Sequence, residues 1–262
     1  MIGQQNNIRS LYQWRCNKSI PRFIIISGDE GSGRLTFAKL IMKTLNLTGI
    51  IYDCKIDSVR DAISRSYLCT APTMYIFRNA DEEMSVAAKN ALLKVVEEPP
   101  NNAYFVMTVS NIDNMLVTIR SRASIIKMEP YSLEELKSYK DDDFLLGYST
   151  NIGQMQIDKK DLEKACDCAE NVIKALKEKS GTKLLKACTQ LRSKQFETEK
   201  IEGSLFMRVF EKSLFEISLS GSCLQYLSDC KREISRKSVN QKASIEVMLI
   251  NILEELKNAE VS

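Results

Sequence analysis

Apolar residues follow two rhythms along this chain. In the first half they gather in short runs, Phe23–Ser27, Thr73–Phe77, Tyr104–Val109 and Ser124–Met128. Short, nearly continuous apolar runs predict strands buried on both faces. Between them lie stretches with helical period, Leu35–Leu45 and Ser85–Glu98. Strands alternating with helices predict an α/β domain whose parallel sheet is covered on both sides.

The rhythm changes after Pro130, the last of the five prolines. From there Leu, Lys, Glu and Ala recur at helical spacing. Leu184, Leu185, Cys188 and Leu191 make one apolar stripe; Ile245, Leu249, Ile252, Leu253 and Leu256 make another. Glycines 147, 153, 181, 203 and 221 are expected at helix ends. The pattern predicts three parts: an α/β domain over 1–130, a small helical lid over 131–180, and an all-helical terminal domain over 181–262.

Charge adds little to this picture. Residues 1–130 hold 16 basic and 12 acidic side chains, and the remainder 21 and 22. A net charge of +3 does not by itself argue for nucleic acid. No apolar run reaches the length of a membrane span. The opening MIGQQNNIRSLYQW lacks the charged, apolar and small-residue segments of a signal peptide, so a cytoplasmic protein is expected. With no histidine in the chain, Ser-His, Cys-His and histidine-ligated metal chemistry are excluded. The eight cysteines form no C-x-x-C pair, so reduced thiols and no zinc site are expected.

The chemistry-bearing stretch is GDEGSGRLT, Gly28 to Thr36, between a predicted strand and a predicted helix. A phosphate-binding loop reads G-x-x-x-x-G-K-[ST]. Gly28, Gly31 and Gly33 allow the tight turn that points backbone N–H groups at an anion. Arg34 stands where the lysine belongs, and Leu35 where a hydroxyl would hold Mg²⁺. Thr36 comes one residue late, about 100° around the helix. The loop alone leaves nucleotide binding open. At the end of the strand Met74–Phe77 a hydrolytic site needs carboxylates, but the chain continues Arg78-Asn79-Ala80-Asp81. Asp81, Glu82 and Glu83 are expected in the first turn of the next helix, complementing its dipole. Arg78 would repel a metal cation, and it is expected to pair with a carboxylate inside the site.

Asn90-Ala91-Leu92-Leu93-Lys94-Val95-Val96-Glu97-Glu98-Pro99-Pro100 resembles the NALLK-x-x-EEPP stretch of bacterial DNA polymerase III clamp-loader subunits, within the AAA+ superfamily. R-N-A-D stands for that family's D-E-A-D, with Asp81 matching its last acid. Thr108-Val109-Ser110-Asn111 resembles the strand-end sensor, and Leu116–Ala123 resembles L-x-T-I-x-S-R-C, with Ser121 and Arg122 in place and Ala123 for the cysteine. Asp57–Ile63 resembles the piece before the second strand, and Asn240–Leu253 the last collar helix.

The resemblance implies the AAA+ fold with a lid and a collar. It implies Arg122 as an arginine finger reaching a neighbouring subunit's ATP, with Ser121 beside it. A guanidinium suits that role because it stays charged and pairs two phosphate oxygens. The four-cysteine zinc module of the motor subunits is missing, and Gln154 stands where a second, basic sensor is common. Together these departures resemble the delta-prime stator, which would require no cofactor of its own. The partners implied are the tau/gamma motor subunits, the delta subunit, the sliding clamp and primed DNA, held without regard to sequence. The alternatives are an active AAA+ ATPase using Arg34 and unconventional metal ligands, and a DNA-binding accessory module without ring partners.

Overall fold

A computed structural model describes residues 2–192, 200–214, 221–234 and 239–259. By packing, the chain divides into two compact units, 1–142 with 149–156 and 143–148 with 157–262.

The first unit runs α1 (Gln5–Asn17), β1 (Phe23–Ser27), α2 (Arg34–Thr44), β2 (Thr48–Tyr52), α3 (Ile56–Leu68), β3 (Thr73–Phe77), α4 (Ala80–Glu83), α5 (Val86–Ala91), α6 (Leu93–Glu97), β4 (Ala103–Val109), α7 (Val117–Arg120), β5 (Ser124–Lys127) and α8 (Leu133–Tyr139). Its five strands are parallel in the order β2-β3-β4-β1-β5. Successive side chains of a strand point to opposite faces, and the core divides accordingly. Ile24 and Ile26 join Leu11 of α1 and Phe37, Ala38 and Ile41 of α2 on one face. Phe23 and Ile25 join Val59 and Ala62 of α3, Ala88 of α5 and Val95 of α6 on the other. That second face carries an aromatic ladder, with Phe23–Phe105, Tyr75–Phe105 and Tyr52–Tyr75 ring centroids 6.2, 5.2 and 6.1 Å apart.

The α/β reading of the first half is correct, and β1 and β3 have the expected bounds. The strand Thr48–Tyr52 was not expected. It lies at the sheet edge, half exposed, and so lacks the solid apolar run of a central strand. Asp57–Ile63 therefore sits in α3, before the third strand rather than the second. The stretch 85–98 is two helices, because the turn at Leu92 interrupts it. Ser85 caps the first by accepting from the Ala88 amide, and Pro99-Pro100 follow the second.

The second unit holds α9 (Asp143–Gly147), α10 (Lys159–Lys177), α11 (Gly181–Cys188), α12 (Gly203–Ser213), α13 (Gly221–Ile234) and α14 (Gln241–Asn258). Helices α10 to α14 share one apolar core, which includes Val172, Leu184, Phe206, Phe210, Leu227, Leu249 and Leu253. The boundary expected at 180/181 falls inside that core, where Ser180 caps α11 by accepting from the Lys183 amide. Of the stripe expected in α11, Leu184, Cys188 and Leu191 are buried, but Leu185 is exposed. Among the described residues the eight cysteines form no disulfide. Among the described residues, no helix is long and apolar enough to cross a membrane.

Phe206 stacks on Phe210 at 5.4 Å and is fully buried. Phe206→Ala is expected to destabilise the fold by about 3–5 kcal/mol. Urea unfolding followed by the helical circular dichroism signal would show the lowered midpoint.

Candidate functional site

The carboxyl ends of β1, β3 and β4 meet in one place, and the candidate residues gather there. Gly28 follows β1 and donates its amide to the Val109 carbonyl at the end of β4 (3.2 Å). Gly31 and Gly33 have φ of 84° and 91°, in the left-handed region that a side chain disfavours. Gly33 is the N-cap of α2, so the first amides of that helix lack intrahelical partners.

Three successive carbonyls of the loop are taken by residues that follow β5. Asn151 Nδ2 donates to Glu30 O (3.0 Å), the Gly153 amide to Gly31 O (3.1 Å), and the Tyr131 hydroxyl to Ser32 O (2.9 Å). The loop therefore faces its carbonyls towards the 131–153 segment. The approach at Gly31 and Gly153 is very close, since a Cβ on Gly153 would sit 2.3 Å from Gly31 Cα. Gly153 stands just before the 3-10 helix Gln154–Gln156, as expected of a helix end, and adds this close packing. Among the described residues, Ser32 Oγ is buried without a hydrogen-bond partner.

Arg34 is only 8% exposed, and its Nη1 donates to Ser110 Oγ at 2.9 Å. It reaches from the first turn of α2 to the end of β4. Burial pulls its pKa down, while the negative charges of Asp81, then Glu30, Glu82 and Asp29, push it back up. An arginine keeps its charge in such a setting. Asp81, 7% exposed, accepts from the amides of Ser110 (2.9 Å) and Asn111 (2.7 Å) through Oδ2, and its Oδ1 has no hydrogen-bond partner. Partial desolvation, with Asp81 second, raises the Glu82 carboxyl. Lys89 of α5 is also buried, its Nζ donating to the carbonyls of Asp81 (3.1 Å) and Asn114 (2.9 Å). Desolvation lowers its pKa against the opposing charges of Asp81 and Cys54.

The acidic trio does fall in the first turn of α4, as the sequence implies. What sequence reasoning missed is the second task of Asp81 and the part played by Ser110 and Lys89. Lysine on the apolar face of α5, three residues before buried Leu92, was the available signal. Arg78 is corrected: it is exposed, and among the described residues no carboxylate lies within ion-pair distance of it. Arg34 is the arginine inside the site. Thr36 is exposed on α2. Asn111 is exposed, its side chain accepting from the Asp113 amide at 2.9 Å.

The geometry tests the magnesium nucleotide that a phosphate loop implies. The glycine turn and the helix start fit an anion. A cation is less well served, because the guanidinium of Arg34 sits beside the acids and Asp81 Oδ2 is held by two amides. Among the described residues, no three acids or cysteines converge as metal ligands.

Ser121 and Arg122 lie apart from this network, at the end of α7. Arg122 Nη1 donates to Thr118 O (3.1 Å) and Ser121 Oγ (3.4 Å), and Nη2 pairs with Glu97 at 3.1 Å. Side-chain exposures of 42% and 51% make this a surface ion pair. Gln154, at the expected second sensor, accepts from the amide and hydroxyl of Thr150 (2.8 and 3.1 Å).

A five-stranded parallel sheet in this order, with a glycine loop between its interior strand β1 and the next helix, defines the class as an AAA+ type α/β protein. Residues 48–132 match the family described as DNA polymerase III, delta subunit. The DNA polymerase III subunit gamma of Buchnera aphidicola (Schizaphis graminum) is 25% identical over 169 residues, covering 53% of this chain and 47% of that protein. The replication factor C small subunit of Methanococcus vannielii is 21% identical over 282 residues, covering 100% of this chain and 82% of that protein. A DNA polymerase III gamma-subunit-related protein of Thermotoga maritima has a like fold, with a TM-score of 0.50 at 17% identity over 94% of this chain and 99% of that one. The fold and these matches together support a clamp-loader type of AAA+ protein. It spans about half the length of the gamma subunits it matches.

Two stability outcomes follow from the site. Gly153→Ala is expected to cost about 1–3 kcal/mol, because backbone must move to admit the methyl; thermal unfolding would register it. Asp81→Ala takes the acceptor from the part-buried amides of Ser110 and Asn111 and is expected to cost about 2–4 kcal/mol. Asp81→Asn keeps an accepting oxygen and is expected to cost less. Equal losses in the two Asp81 variants on a denaturant titration would contradict this account.

Proposed function

We propose that this chain is a delta-prime-type subunit of a DNA polymerase III clamp loader. It is a cytoplasmic stator that does not hydrolyse ATP itself and lends Arg122 to the ATP site of an adjacent motor subunit. In this reading the chain works in a ring with tau/gamma motor subunits and a delta subunit, helping to place a sliding clamp on primed DNA. The lid over 131–180 and collar over 181–262 would be its functional divisions, and no cofactor is required.

The observation that carries the reading is the engagement of Arg34. The residue standing for the catalytic lysine is buried, bonded to Ser110 and surrounded by acids. Hydrolysis needs a metal where that cation lies, and a like charge there opposes it. Arg122 supports the second half of the reading. An exposed ion pair such as Arg122–Glu97 contributes only about 0–1 kcal/mol. Transfer of the guanidinium from Glu97 to a partner's phosphate oxygens therefore costs little, and a charge-assisted bidentate pair outweighs it.

A loader reconstituted from motor subunits and this chain tests the proposal, with clamp- and DNA-stimulated ATP turnover as the readout. Arg122→Ala is expected to slow the site it serves by roughly 10³–10⁵-fold, diluted in the total by the other sites of the ring, with assembly intact by gel filtration. Unchanged turnover would show that Arg122 is no finger. Magnesium-dependent turnover by the isolated wild-type chain would overturn the stator assignment.

A further inference from the structure

We propose that the face formed by α1 and α2 is a binding site for single-stranded nucleic acid, centred on a cavity between the ends of these helices and the start of β4. It stands apart from the clamp-loader reading, because charge, pocket shape and side-chain chemistry carry it.

The charge is segregated in the sequence. Residues 1–28 contain Arg9, Arg15, Lys18 and Arg22 and no acid; residues 31–52 contain Arg34, Lys39 and Lys43 and no acid. Arg34 is turned inward, as described above. Arg9, Arg15, Lys18, Lys39 and Lys43 are exposed. None of these five, nor Arg22, has an ion-pair partner among the described residues.

At the carboxyl ends of α1 and α2 a cavity of about 350 Å³ opens, lined by Arg15, Lys18, Ile20, Leu45, Asn46 and Tyr104, among others. Ligand sites range over roughly 300–1,000 Å³, so this one suits a small unit such as one nucleotide. The simplest alternative is that its cations only neutralise two helix ends. Magnitudes decide against that. Two helix termini supply roughly −1 elementary charge together, against two full charges on the lining residues Arg15 and Lys18, with Arg22 beside Tyr104 as a third.

The remaining lining selects among polyanions. Tyr104 offers an aromatic surface, with the Arg22 guanidinium 4.8 Å from its ring centroid, and Ile20 and Leu45 are apolar. A flat base packs against such a wall while its phosphates meet Arg15 and Lys18. Asn46 supplies a donor and an acceptor. An acidic peptide would use the cations and leave the aromatic surface idle. The site is also remote from the phosphate loop. Arg22 precedes β1 and Gly28 follows it, so five strand residues, about 16 Å, separate the two ends.

The test uses the full 262-residue chain and a fluorescent oligothymidylate of roughly 12 nucleotides, titrated by anisotropy at several salt concentrations. The double variant Arg15→Ala/Lys18→Ala removes two phosphate contacts at exposed positions. It is expected to bind roughly tenfold more weakly and to lower the slope of log K against log salt by about 1.4. Tyr104→Leu is expected to lose roughly fivefold to hundredfold in affinity with the salt slope unchanged, since no phosphate contact goes. Wild type failing to bind, or the double variant matching it in affinity and slope, would overturn the proposal. Polyglutamate displacing the oligonucleotide as well as unlabelled oligothymidylate does would overturn it too, by assigning the face to acidic protein. Should Tyr104→Leu not fold, the double variant still decides.

Discussion

Asp81 Oδ2 holds the amides of Ser110 and Asn111 at 2.9 and 2.7 Å, and the chain on either side takes its course from these two bonds. They tie the first turn after β3 to the end of β4. A buried carboxylate accepting backbone amides is stable only while those donors stay in place. Ser110, so fixed, presents its hydroxyl to Arg34, and Arg34 in turn fixes the first turn of α2 against the same strand. Lys89 closes the arrangement from below by taking the carbonyls of Asp81 and Asn114. Four elements that meet at the sheet edge are thus held by polar bonds to one small region, and each bond depends on the others.

The glycine loop rests on this edge and is held from its other side by glycine as well. Gly31 and Gly153 touch backbone to backbone, which only two residues without a Cβ permit. With Glu30 O, Gly31 O and Ser32 O each bonded to the 131–153 segment, the loop's shape is set by the protein alone. A loop organised in this way does not need an anion to hold its turn. The proposed stator, which does not hydrolyse ATP, would keep its loop on these bonds alone.

Much of the fold was legible because burial leaves a periodic trace. Central strands β1 and β3 are buried on both faces and read as apolar runs, whereas β2, half exposed at the edge, left no run to see. The amphipathic stripe of α14 was readable, yet Leu185 of α11 is exposed despite its helical phase. The Arg122 segment, which lies apart from the site, was found by resemblance alone; within the site, the glycines and Arg34 could be found by spacing. The Asp81 network could not, because its partners are backbone amides about thirty residues away and an amide has no letter in a sequence. Arg78 shows the converse error. Its position after a buried strand suggested the interior, but the strand ends at Phe77 and the next side chain leaves the sheet.

Two arginines of this chain show how surroundings, more than residue type, decide a role. Both guanidiniums are permanently charged and able to pair with a phosphate. Arg34 is desolvated, bonded to Ser110 and balanced by the field of four carboxylates; pulling it away would leave those acids facing one another. Arg122 keeps solvent on its side chain, bonds locally to Thr118 O and Ser121 Oγ, and has an exposed ion-pair partner in Glu97. The free energy that holds it in place is small, as the proposed transfer to a partner's phosphate requires. Glu97 also lies at the end of α6, just before Pro99-Pro100, so the helix and its stop set where the resting guanidinium lies. The proposed division of roles rests on this contrast, with Arg34 held within the chain and Arg122 left at its surface.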